Sequence, residues 1–125
     1  MRKNQFERFL VRRPCIKYLR EQINLNQLKR WPFLYWTCPP DHGKMTGKQA
    51  GEMKLDGYEK GCFDLTIICA DNDNIHVYLI EFKYGKNDYT DEQKEIAIAT
   101  LATPIKAIKI YSIDEFMEFV ANELK

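Results

Sequence analysis

The feature that most constrains this chain is a change of period. Phe63, Leu65, Ile67 and Cys69 alternate with Asp64, Thr66 and Ile68, a repeat of two that places every second side chain on one face of a β-strand. Asp71, Asn72, Asp73 and Asn74 follow. Such residues tolerate positive φ and hydrogen-bond their own backbone, so a tight turn is expected there. Ile75 to Tyr84 returns as a second strand, which makes residues 63–84 a hairpin. A hairpin centred on this turn fixes its register, and Asp64 and Glu81, equidistant from the turn centre, fall opposite each other. Along the second strand, Val77, Leu79, Glu81 and Lys83 share one face, and Tyr78, Ile80, Phe82 and Tyr84 take the other. Glu81 and Lys83 are therefore about 6.6 Å apart along the strand and point the same way.

The rest of the chain supplies helices to pack on this hairpin. Phe6, Phe9 and Leu10 form one helical stripe and Ile16, Leu19 and Ile23 another. Pro14 lies between them, so a kink is expected, or two consecutive helices with Pro14 in the first turn of the second. Trp31 to Trp36 is dense in aromatic residues and reads as a strand after a break at Pro32. Cys38 to Gly61 is the one long irregular segment, with a short helical stretch around Lys48–Leu55, and long loops in compact domains commonly carry function. Thr90 and Gln93 have capping-box spacing and open a helix to about Ala102. Ile105 to Tyr111 is a further strand. Ser112 and Glu115 repeat the cap spacing and start a last helix whose apolar side is Phe116, Phe119, Val120 and Leu124. The order predicts a single α/β domain over residues 1–125, a small mixed central sheet flanked by helices.

Charge is unevenly divided. Residues 1–48 carry eleven bases and three acids, and residues 49–125 carry eight bases and fifteen acids, so a net +1 conceals halves of +8 and −7. That asymmetry points to a polyanionic partner. No run approaches the ~18 apolar residues of a membrane-spanning helix, so no membrane partner is expected. The amino-terminal residues lack the apolar core of a signal peptide, which gives a cytoplasmic address as the default. Cys15, Cys38, Cys62 and Cys69 lack the spacing of a zinc site and read as free thiols in a reducing compartment; His76 reads as a surface imidazole.

The acids that can be placed suggest chemistry. Two opposed carboxylates repel, and a cation between Asp64 and Glu81 would relieve the repulsion. A hard divalent ion such as Mg²⁺ or Mn²⁺ suits oxygen ligands of this kind. Lys83, on the same face, is placed to orient or deprotonate an attacking water, or to steady charge building on a phosphate. The competing reading of the same residues is an ordinary Glu81–Lys83 salt bridge at a strand end.

Gly61-Cys-Phe-Asp64-Leu, followed by Leu79-Ile-Glu81-Phe-Lys83, resembles the core of the PD-(D/E)XK nucleases, and most closely the virus-type replication and repair nuclease (VRR-NUC) branch. The loop His42-Gly-Lys-Met-Thr-Gly-Lys48 and the helix start Thr90-Asp-Glu-Gln93 occupy the places of that branch's Gly- and Lys-rich loop and Ser/Thr-x-x-Gln helix. The closing strand and helix over 105–124 complete the pattern, so the resemblance spans the chain from roughly Phe6 to its end. It departs at Phe63, where proline is usual, and at Pro14, which interrupts an otherwise continuous first helix.

The resemblance implies a restriction-endonuclease-like core. It makes Asp64 and Glu81 metal ligands, Lys83 the catalytic lysine, and Gln93 a residue that positions the metal, its water or the phosphate; the capping box is the alternative use of Gln93. A glutamate on the first helix would complete the metal shell, Glu7 being the choice and Glu21 the competitor. Lys44, Lys48, Lys54 and Lys60 in or beside the loop, with Arg8, Arg12 and Arg13 on the first helix, would grip phosphates in a salt-sensitive, largely sequence-independent way. The implied activity is a Mg²⁺- or Mn²⁺-dependent, structure-selective DNA endonuclease acting on Holliday junctions or flaps in phage replication and repair. Symmetric cutting of a four-way junction from one site per chain implies a homodimer. The alternatives are a restriction-type or nicking nuclease of the same fold, or a non-catalytic DNA-binding or assembly module.

Overall fold

The computed structural model describes residues 3–29, 33–37, 48, 51–52, 55, 62–72 and 74–125. Helical residues run without interruption from Lys3 to Asn24: α1 (Lys3–Phe6), a π-helical segment (Glu7–Arg12) and α2 (Arg13–Asn24). Of the two expectations at Pro14, the structure gives the second: consecutive helical segments, with Pro14 in the first turn of α2. The proline sits at the start of α2, immediately after the wider π turn, where the backbone N–H of Arg13 donates to the carbonyl of Arg8. Proline's missing donor falls where the ladder changes from i→i+5 to i→i+4 pairing, so the chain stays helical.

Four strands follow: β1 (Phe33–Thr37), β2 (Leu65–Asp71), β3 (Asn74–Phe82) and β4 (Lys106–Ile110). Between β3 and β4 lies α3 (Asp91–Thr100), and after β4 comes α4 (Ile113–Phe119), which continues into a π-helical turn, Val120–Leu124. The sheet order is β1-β2-β3-β4, with β1 and β3 antiparallel to β2 and β4 parallel to β3. The fold is thus mixed α/β around a four-stranded mixed sheet. The described part of the Cys38–Gly61 segment includes helical residues 48, 51, 52 and 55. No described helix is long and apolar enough to cross a membrane.

The hairpin register agrees with its turn chemistry. Asp71 pairs with Asn74 and Leu65 with Ile80, and Asn72 takes the positive φ, 53°, that asparagine tolerates. Alternation then builds one apolar face: Leu65, Ile67 and Cys69 of β2, Tyr78, Ile80 and Phe82 of β3, and Ile110 of β4 are all buried. The helices cover this face with residues spaced by a turn. Val11, Cys15 and Leu19 come from the first helical run, and Phe116, Phe119, Val120 and Leu124 come from the last. Phe116 is the hub, with its ring 6.3 Å from Tyr18, 6.0 Å from Phe82 and 5.9 Å from Phe119.

Two expectations are corrected here. His76 shares the parity of Tyr78 and Ile80 and is half-buried, its Nε2 enclosed without a hydrogen-bond partner, rather than lying at the surface. Cys15 and Cys69 are free and buried, but Cys62 is disulfide-bonded. Loop closure in space brings cysteines together irrespective of the sequence spacing from which the free thiols were read.

Truncating the hub tests this packing. Phe116→Ala should cost about 3–5 kcal/mol through lost transfer energy and a residual cavity, read as a lower denaturant midpoint at unchanged slope. A loss below about 1 kcal/mol would mean that the ring is not in the core.

Candidate functional site

The β2–β3 ladder stops at Leu65↔Ile80, and the next pair of residues, Asp64 and Glu81, replaces the missing rung with side chains. The backbone N–H of Asp64 donates to Glu81 Oε1 at 3.0 Å, and the backbone N–H of Phe82 donates to Asp64 Oδ2 at 2.9 Å. Each carboxylate thus accepts a main-chain donor of the opposite strand, which satisfies the polar backbone at the end of a buried hairpin. These two bonds set both carboxylates in fixed orientations, with one oxygen of each turned elsewhere.

The outward oxygens meet cations. Asp64 Oδ1 accepts from Arg12 Nη1 at 2.9 Å, and Glu81 Oε2 lies 3.2 Å from Lys83 Nζ. All four side chains are largely enclosed, at 17% exposure or less. Glu81 and Lys83 share a strand face, as alternation requires, and Phe82 between them points into the core. Burial raises the Asp64 carboxyl from an ordinary 3.8 to about 7, and the neighbouring Glu81 charge pushes the same way, against the Phe82 amide and Arg12, which lower it. A carboxylate so poorly compensated favours an added cation.

A rim of polar and aromatic groups surrounds this pair. Lys109 on β4 is in register with Glu81. Its ammonium lies 2.8 Å from Asp88 Oδ1 and 4.9 Å from the centroid of the Tyr89 ring. The Lys109 contact holds the Asp88 carboxyl below its usual range. Tyr89 packs on Phe63, centroids 5.4 Å apart. Its phenol is pushed up to about 12, first by burial and then by the Glu81 charge. Sequence reading passed over Lys109, because nothing in a single strand states which neighbour it will pair with or in what register.

The remaining candidates divide. Gln93 is buried, and its side chain completes the cap of α3: Oε1 accepts from the Thr90 N–H at 3.0 Å while Thr90 Oγ1 accepts from the Gln93 N–H at 3.3 Å. The capping role is therefore filled by the carbonyl end of the amide. Glu7 is half-buried and heads the stripe that continues through Val11, Cys15 and Leu19, whereas Glu21 is exposed in the last turn of α2. Among the described residues no three His, Cys, Asp or Glu side chains gather as a metal-binding group, so neither glutamate joins Asp64 and Glu81 in this conformation.

Arg13 and Arg8 are exposed and stand over the Phe9 ring, 4.4 Å and 5.9 Å from its centroid. Lys48 is exposed. Lys44, Lys54 and Lys60 lie outside the described residues. Among the described basic candidates, Arg12 is the one that reaches the carboxylates.

The donor set still suits a hard divalent ion. Mg²⁺ is commonly held by one or two carboxylates, with waters and substrate phosphate completing its shell, and Asp64 and Glu81 supply that number from rigid strand ends.

The raised Asp64 carboxyl has a signed consequence. Its folded value lies above its unfolded one, so between about pH 3.8 and 7 the folded state holds a proton that the unfolded state has released. This group's contribution to stability is therefore greatest below that window and falls as pH rises through it. Urea unfolding of metal-free protein at several pH values should show this decline relative to Asp64→Asn, in which it should disappear; parallel curves for the two proteins would refute the assignment.

No protein-family model matches the chain, no curated protein matches it, and no solved structure matches it.

Proposed function

We propose that the chain is a divalent-metal-dependent nuclease of the PD-(D/E)XK type, with a structure-selective DNA endonuclease of the VRR-NUC kind as the specific reading. One observation carries it: Asp64 and Glu81 are locked opposite each other at the open end of a buried hairpin, with Lys83 at 3.2 Å on the same face. Three ionisable groups in a largely enclosed setting form a costly arrangement for stability alone, and a well-suited one for phosphodiester hydrolysis.

The roles follow from position. Asp64 and Glu81 would hold Mg²⁺ or Mn²⁺. The bound ion supplies Lewis-acid charge for the phosphate. Lys83 presents its ammonium beside Glu81, where it can orient the attacking water or offset charge growing on the phosphoryl oxygens. Exposed Arg8, Arg13 and Lys48 offer positive charge for phosphates flanking the scissile one, in keeping with the basic amino-terminal half. Cleavage of a four-way junction would require two such sites and hence a homodimer.

A second reading has its own support. Arg12 and Lys83 already pair with the two carboxylates, and among the described residues no third acid joins them. An ion-pair network of that kind also suits a DNA-binding or assembly module that keeps the fold without cutting.

Synthetic four-way junction, flap and linear duplex, each with Mg²⁺, Mn²⁺ or EDTA, separate the two readings. Metal-dependent cleavage that falls at least about 100-fold in Lys83→Ala and Asp64→Asn is the expected result. Binding that persists in EDTA with no product from any substrate would favour the non-catalytic module. Cutting of linear duplex at fixed positions would indicate a restriction-type enzyme.

A further inference from the structure

We propose that Arg12 is an exchangeable counter-ion of the carboxylate pair, which holds Asp64 when no metal is bound and is released toward the substrate phosphate when one binds. This inference rests on the metal site of the reading above. Its geometric basis is the division of labour between the two Asp64 oxygens. Oδ2 accepts from the Phe82 amide at 2.9 Å, which leaves Oδ1 as the oxygen not tied to the backbone. That oxygen is the one Arg12 occupies, at 2.9 Å. A divalent ion drawn between Asp64 and Glu81 would need the same oxygen. A guanidinium beside a doubly charged ion in an enclosed site is strongly repelled, so occupancy by one cation disfavours the other.

Lys83 differs from Arg12 in its attachment. It rides on the same strand as Glu81, two residues away, and remains at the site whatever Glu81 binds. Arg12 reaches Asp64 from a separate element, across 52 positions of sequence. Its backbone is anchored by the adjacent Val11, which is 1% exposed in the core. Release from Asp64 would therefore move the side chain and not the helix, and leave the guanidinium near the carboxylates. A guanidinium matches the paired oxygens of a phosphate better than an ammonium does. The arrangement would couple metal loading to substrate grip: Arg12 holds the unloaded site together and binds phosphate only once the metal has taken its place.

The test uses the full chain and Mn²⁺ or Mg²⁺ alone, without a nucleic acid. Calorimetric titration with Mn²⁺ should show Arg12→Gln binding at least tenfold tighter than wild type. The same variant should melt lower in EDTA and gain more in Tm on Mn²⁺ addition. Equal or weaker binding in Arg12→Gln, with wild type binding normally, would overturn the exchange and leave the metal site standing. No binding by either protein would overturn both.

Should Arg12→Gln fail to fold, the wild-type chain decides. With Mg²⁺, the Arg12 side-chain Nε–H resonance, assigned through Arg12→Lys, should shift while those of Arg8 and Arg13 stay in place. An unmoved Arg12 signal, while the Asp64 and Phe82 amides respond to Mg²⁺, would refute the exchange alone. Silent amides would refute the metal site as well.

Discussion

The carboxylate pair at the end of the hairpin is the point on which this structure turns. Asp64 and Glu81 each accept a backbone N–H from the facing strand, so the sheet is closed at that end by side chains rather than by another rung. Closure of this kind satisfies main-chain donors in a buried setting, and it leaves two carboxylates within a few ångströms of each other. Their mutual repulsion must then be met by cations. Arg12 and Lys83 lie against the pair, and burial, reinforced by the Glu81 charge, still raises the Asp64 carboxyl.

The core explains why the pair cannot relax apart. Leu65 and Ile80, the last backbone pair of the hairpin, are both fully buried, and Phe82 inserts between Glu81 and Lys83 to meet Phe116. On the next strand Lys83 N–H donates to the Ile110 carbonyl at 2.9 Å, which holds the lysine's backbone to β4 beyond the end of β3. Rigid strand ends are a better base for a constellation of charges than loops, because their side-chain directions are set by packing. The first helical run contributes from the same core: Val11 is anchored in it, and Arg12, next along, is thereby delivered to Asp64.

Much of this was legible in the chain. The Asp71–Asn74 turn dictated that Asp64 would face Glu81, and alternation put Glu81 and Lys83 on one face; both are local consequences of a tight turn and a period of two. The cap spacings at Thr90 and Ser112 were equally readable, since caps are formed within four residues. The π-helical form of Glu7–Arg12 was not, because a π turn has no composition of its own. The half-burial of His76 and the disulfide at Cys62 escaped for a different reason, since each depends on what other segments bring against it.

The division between the two levels is therefore physical. Sequence alone determined the hairpin, its register, the face shared by Glu81 and Lys83, and the apolar stripes of the flanking helices, because all of these follow from backbone geometry over short separations. Tertiary structure decided which cations would meet the carboxylates and which strand would lie beside β3. Arg12 on Asp64 and Lys109 beside Glu81 are contacts across 52 positions and across a parallel crossover. Such contacts are selected by the packing of whole elements, which no local pattern in the chain records.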